Sequence, residues 1–204
     1  MNTIKQSAIL ALVLAGACAG GCASAPPAAA PAPQPRKDPQ SALEPRSTPG
    51  EGQKYLSRMV GRWAVVKTFY PRGGGAPAVS SGRCTQKMIH EGRFLESDFV
   101  FTDAGAETTG TGVVGFDAET GLFTSFWMDS RSTRFSIRQS EAPFDGTRIV
   151  LFGKTIGDPG PNARRSRTES VLEDGDRRLV HRQYSESPDG PGRLVMQLEM
   201  TRSP

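Results

Sequence analysis

The chain has 204 residues, with 25 Lys and Arg against 21 Asp and Glu and a formal net charge of +4. The basic residues are scattered rather than laid in a stripe with interleaved aromatics, which argues against a nucleic-acid partner. Of three cysteines, only Cys84 lies beyond the first 22 residues, so no disulfide framework can hold the folded part.

Residues 1–22 open on a short basic start (Lys5), continue through an apolar run from Ala8 to Ala19, and end on small residues and Cys22. That order is a secretory signal peptide, and the run falls short of the ~20 residues that cross a bilayer. The terminal cysteine resembles the lipidation site of bacterial lipoproteins. Cys22, behind Ala19-Gly20-Gly21, is the expected acceptor, and Cys18, behind Ala15-Gly16-Ala17, is the alternative. Neither has leucine three places before it. Alanine rather than aspartate follows both cysteines, and by resemblance to sorting in two-membrane bacteria this implies the outer membrane, with the chain facing the periplasm.

Residues 23–52 form a tether. Eight of the sixteen prolines lie between Pro26 and Pro49, interleaved with alanine. Such a segment has too little apolar surface to offset its ordering entropy. It is expected to be extended and semi-stiff, reaching roughly 90 Å at ~3.1 Å per residue.

Residues 53–204 are then one domain of ordinary size, large enough for a real core. Gly52 to Val60 is helical for about two turns, with Leu56, Met59 and Val60 on one face. Beyond it, short segments rich in Val, Thr, Phe and Ile recur between turn clusters such as Asp103 to Gly105 and Asp117 to Gly121. They predict ten strands, at about 62–70, 79–90, 93–102, 107–116, 122–129, 133–140, 147–156, 166–173, 177–187 and 192–202. Regular short strands with this punctuation predict an all-β, antiparallel up-and-down β-barrel behind a short N-terminal helix.

Alternation assigns the faces. Leu194, Met196, Leu198 and Met200 face the core on the last strand, and Leu179, His181 and Gln183 on the ninth. The same reading points Cys84, Met88 and His90 inward on the second strand, and Phe135, Ile137 and Gln139 inward on the sixth. An inner face mixing apolar groups with Gln and His suits a barrel with a cavity better than a filled one.

At Gly61-Arg62-Trp63, between the helix and the first strand, the chain resembles the calycin superfamily, which includes the lipocalins. The resemblance implies that Trp63 closes one barrel end beside Gly61, with a basic residue of the last strand, here Arg202, over its ring. Over residues 53–202 the chain is similar to the bacterial domain-of-unknown-function family 1579. The matching pieces are Leu56 to Trp63, Glu91-Gly92-Arg93-Phe94-Leu95, Gly112 to Asp117, Trp127-Met128-Asp129-Ser130, the Ser187-Pro188-Asp189-Gly190 turn and Met200-Thr201-Arg202. Phe116 departs from the tyrosine usual in that family.

Gly110-Thr111-Gly112-Val113-Val114-Gly115 spells G-x-G-x-x-G, but a dinucleotide fingerprint needs a helix directly after it. Phe116 to Gly121 reads as a turn into another strand, so these glycines are expected to let neighbouring groups approach a bent strand closely. His90 and His181 are the only histidines, a thin ligand set for a metal. Glu96 and Asp98 share one face of the third strand and read as a solvated outer wall. No nucleophile elbow, HExxH or phosphate loop is present.

The expectation is an outer-membrane lipoprotein whose barrel binds a small, largely apolar ligand. Its pocket would be lined by Met88, His90, Phe135, Ile137, His181, Met196 and Leu198. No cofactor is expected. The alternatives are an envelope interaction module with a filled barrel, an enzyme using His90 or His181 as acid/base, and a haem-binding barrel.

Overall fold

The computed structural model describes residues 47–103, 105–154, 165–187 and 190–203, with Gln40 and Leu43 besides. The signal segment, Cys18, Cys22 and most of the tether lie outside the described residues. One helix, α1 (Glu51–Ser57), precedes β1 (Gly61–Phe69), β2 (Ala78–Ile89), β3 (Phe94–Asp103), β4 (Ala106–Asp117) and β5 (Leu122–Asp129). There follow β6 (Ser136–Gln139), β7 (Ile149–Lys154), β8 (Arg165–Glu173), β9 (Arg178–Ser187) and β10 (Gly190–Arg202). Each strand pairs antiparallel with its sequence neighbours, and β1 pairs with β10, which closes the barrel. Closure pairs every strand on both sides, with β6 and β7 the weakest seam. The predicted ten-stranded up-and-down architecture is therefore the one observed.

Turn chemistry explains the punctuation. Gly92, Gly105, Gly121 and Gly175 all adopt positive φ between strands. At the β4–β5 turn the Asp117 carboxylate accepts from the Glu119 amide at 2.9 Å and the Thr120 hydroxyl at 2.8 Å. That side-chain cap turns the chain where a dinucleotide site would need a helix to begin.

Helix α1 starts two residues before the domain boundary expected at 53, and at 7 residues it is too short to be stable alone. Tertiary contacts hold it. Tyr55 Oη donates to the Thr147 carbonyl at 2.9 Å, and Gln53 Nε2 donates to the Phe116 carbonyl at 2.7 Å. Tyr55 and Leu56 are buried, with Met59 in the turn beyond. Val60, expected on that buried face, is 38% exposed because the helix ends at Ser57 and Val60 leads out into β1.

The helix sits at the end where β1 begins. There Leu56, Trp63, Leu95, Phe123 and Met200 are almost fully buried, and Phe116, Phe123 and Phe144 meet in mutual ring contacts. The opposite end holds the last residues of β1, β3 and β5 and the first of β6 and β8. β6 is shorter than the predicted 133–140, and its paired register with β7 is confined to Gln139 and Phe152.

Candidate functional site

Above the apolar floor lies a cavity of about 210 Å³ inside the barrel. Alternation along the strands sends small and polar side chains into it: Gln86 from β2, Ser97 from β3, Ser125 from β5, Thr168 and Ser170 from β8, and His181 and Gln183 from β9. Leu56, Met59, Leu179, Leu198 and Met200 supply the apolar part of the wall. A filled barrel would carry large apolar groups where Ser97, Ser125 and Ser170 stand, so the void follows directly from the small side chains at these positions.

The polar groups are only partly matched. Gln86 Nε2 donates to Ser97 Oγ at 2.9 Å, and Ser170 Oγ shares a hydrogen bond with His181 Nδ1 at 2.8 Å. Gln86 Oε1 and Arg138 Nε are buried and make no hydrogen bond among the described residues. Burial pushes the His181 imidazole down to about 4, and the charge of Arg138 adds to the shift. The ring is therefore neutral at neutral pH. Arg138 is itself held below the usual guanidinium range by burial. It borders both the inner cavity and a second hollow of about 240 Å³ lined also by Phe69, Tyr70 and Ile137.

Towards the end away from α1 the wall becomes aromatic and cationic. Trp127 packs edge-on to Phe99 at 5.5 Å, and its Nε1 donates to Asp129 Oδ2 at 3.1 Å. Asp129 is held down at about 2, chiefly by Arg131, which donates to it at 2.8 Å. Lys67 lies 4.1 Å from the centre of the Phe101 ring, and burial lowers its pKa. The G-x-G-x-x-G stretch makes room for this arrangement. A Cβ on Gly110 would come within 2.3 Å of the Trp127 ring, and one on Gly112 within 3.2 Å. The expected role of these glycines, close approach across a strand, is the one they have.

The opposite end is closed by Gly61, Trp63 and Arg202. Trp63 is 1% exposed, and its Nε1 donates to the Met59 carbonyl at 2.9 Å. Arg202, paired with Trp63 across β1 and β10, stands 4.4 Å over its ring. Its guanidinium donates to the carbonyls of Val60 at 2.6 Å, Arg58 at 2.8 Å and Asp176 at 3.1 Å. Gly61 has φ +142, and a Cβ there would lie 2.5 Å from Arg202 Nη1. Glycine meets both demands at this position, an unusual backbone and a guanidinium against it.

Of the pocket residues predicted from sequence, His181, Met196 and Leu198 line the cavity. Met88 points inward and packs against the core. Three expectations are corrected. His90 lies beyond the end of β2, in an exposed turn with φ 50, where alternation no longer sets direction. Phe135 precedes β6 and is 55% exposed, and Ile137 is 45% exposed. The sixth strand has the opposite phase, because Arg138 pairs with inward Ser125 and Ile137 with outward Phe126. An arginine between Ile137 and Gln139 reads as solvent-facing, yet here it faces inward and is half-buried. His90 and His181 are thus not brought together. Among the described residues no group of three His, Cys, Asp or Glu is placed to hold a metal ion.

Sequence reasoning also missed Gln86, Ser97, Ser125, Ser170 and Trp127 as lining residues, although the phase of β2 and β9 was available to find their cross-strand partners. Glu96 and Asp98 are on the outer wall as expected, bonded to Lys87 at 2.7 Å and Thr111 at 2.9 Å. Cys84 is buried, and burial pushes its thiol pKa far up, consistent with an inert packing role.

No curated protein matches the chain. Among solved structures, the crystal structure of Rv2717c from M. tuberculosis aligns with a TM-score of 0.51 at 13% identity, covering 77% of this chain and 100% of that one. At that identity the likeness is one of fold. The model of DUF1579, a protein family of unknown function, matches residues 48–202. The chain belongs to that family.

Proposed function

We propose that this DUF1579 member is a lipid-anchored envelope protein whose barrel carries a small, largely apolar molecule in its interior. The observation that supports carriage is the cavity of about 210 Å³, apolar at the α1 end and lined beyond it by polar groups, of which Gln86 Oε1 and Arg138 Nε have no hydrogen-bond partner among the described residues. Enclosed apolar pockets with a few convergent polar groups are the usual form of a small-molecule site. The signal segment, Cys22 and the Pro/Ala tether support anchoring in the outer membrane on the periplasmic side. Several acyl chains at ~0.8 kcal/mol per buried CH₂ would hold it there durably.

Native mass spectrometry of the lipoprotein, purified gently from its own envelope, tests carriage. The expected result is a reproducible mass beyond that of the acylated chain, lost when Ser125→Trp fills the cavity. A clean mass for the acylated chain, together with no response of Trp127 fluorescence to added decanol, would refute it. A second reading, an interaction module, draws on the exposed outer pair Phe126 and Ile137 with Met128 and Phe135 nearby. That reading calls for a filled barrel, and the interior void favours carriage over it.

A further inference from the structure

We propose that the molecule carried is an amphiphilic organic anion, its carboxylate paired with Arg138 and its apolar part lying toward Leu56, Met59 and Met200. This inference rests on the carriage reading above. The charged side chains lining the cavity are Lys67, Arg131 and Arg138, with no Asp or Glu among the lining residues. Arg131 is neutralised by Asp129 at 2.8 Å. Lys67 and Arg138 make no ion pair among the described residues. The acidic groups on the neighbouring outer wall are already engaged, since Glu141 bonds Arg165, and Glu169 and Glu186 bond Arg167.

Arg138 is half-buried with its Nε fully buried, and a guanidinium drawn out of water without a counter-charge is costly unless an anion completes it. Its planar fork of donors matches the two oxygens of a carboxylate. Arg138 is also fixed in place by packing. A Cβ on Gly153 would lie 2.7 Å from Arg138 Cγ, so the glycine of β7 leaves the groove through which the arginine stem passes. Beside it His181 is neutral and bonded to Ser170, so it adds no second positive charge to the headgroup position. Between the cation and the floor set by α1, the wall turns apolar, which orients an amphiphile head to Arg138 and tail to the closed end.

The test compares three ten-carbon probes, decanoate, decanol and decyltrimethylammonium, by calorimetry and Trp127 fluorescence. The protein is the full-length chain with Cys18 and Cys22 both replaced by serine, so that no acyl chain of its own competes. Decanoate should bind about tenfold or more tighter than decanol, as charge-assisted pairing in a half-buried site predicts, with the cationic probe weakest. Arg138→Gln should remove that preference while leaving decanol within about twofold, and Arg138→Lys should restore part of it. Ser125→Glu gives a second route, because Ser125 pairs with Arg138 in the β5–β6 register and a built-in carboxylate there should displace decanoate but not decanol. Equal binding of decanoate and decanol, or a preference that survives Arg138→Gln, overturns the proposal and leaves carriage standing. If none of the three binds, carriage itself fails and the proposal with it.

Discussion

Lowering the pH should destabilise this barrel through His181 in a window set by its own two pKa values. The imidazole titrates near its ordinary 6.5 in the unfolded chain and at about 4 in the folded one, where burial and Arg138 oppose a second positive charge. Between those values the unfolded chain binds more protons, so stability is complete above the unfolded pKa and falls as pH drops toward the folded one. Integrating that difference from pH 7.5 to pH 4.5 gives a loss of about 2.5 kcal/mol from this one ring. Carboxylates such as Asp129, held at about 2, lose their contributions mainly at lower pH. A variant that cannot titrate isolates the histidine from them. His181→Gln keeps an acceptor for Ser170, and urea unfolding of both proteins at the two pH values should show the native chain losing about 2.5 kcal/mol more. Parallel losses would mean that water reaches the ring freely, and the argument for a dry, cation-flanked interior would be withdrawn.

Three further outcomes are expected. Trp63→Ala should cost about 3–5 kcal/mol in urea unfolding, the range for large aromatic truncations in a core, since Trp63 is 1% exposed and caps the barrel end; a near-neutral result would remove its closing role. Gly61→Ala should cost about 1–3 kcal/mol, because φ +142 is strained for any side chain and its Cβ would displace Arg202. Circular dichroism melts of Gly61→Ala, Arg202→Ala and the double variant should show the two costs failing to add, as they do when residues share one contact. Cys22→Ser should leave unlipidated precursor in a metabolic acyl-labelling experiment; label retained on that variant and lost from Cys18→Ser would move the anchor to Cys18.

Much of the architecture was legible because it is carried by local chemistry. Turn residues with positive φ and period-two alternation placed all ten strands, and on β9 and β10 the alternation also gave the inner face. The site was harder to read, and the reason is specific to β6. A four-residue strand holds too few positions to set its own phase, so alternation over the expected 133–140 puts Phe135, Ile137 and Gln139 on the wrong face. The true phase comes from the partner strand. Ser125 and Trp127 of β5 face inward, and the register then sends Ser136 and Arg138 in and Ile137 out. His90 failed for a different reason, since alternation was carried one residue past the point where β2 ends and the chain turns.

The same strand explains why a cavity exists here at all. Along β3, β4 and β5 the paired inward positions Ser97, Gly112 and Trp127 set one large ring against two small residues. Gly110 and Gly112 let that ring lie flat along its neighbour rather than across the middle of the barrel. Space is thereby opened opposite β8 and β9, where Ser170 and His181 bond each other and leave the volume unfilled. Into that space the shortest strand delivers Arg138, over a glycine in β7 that admits its stem. Leaving Gln86 Oε1 and Arg138 Nε buried and unpartnered beside a void opposes stability unless something completes them, and evolution toward stability alone would replace such polar residues with leucine and valine. Their presence at the one level of the barrel that small residues keep open is the strongest physical reason to regard the cavity as a binding site.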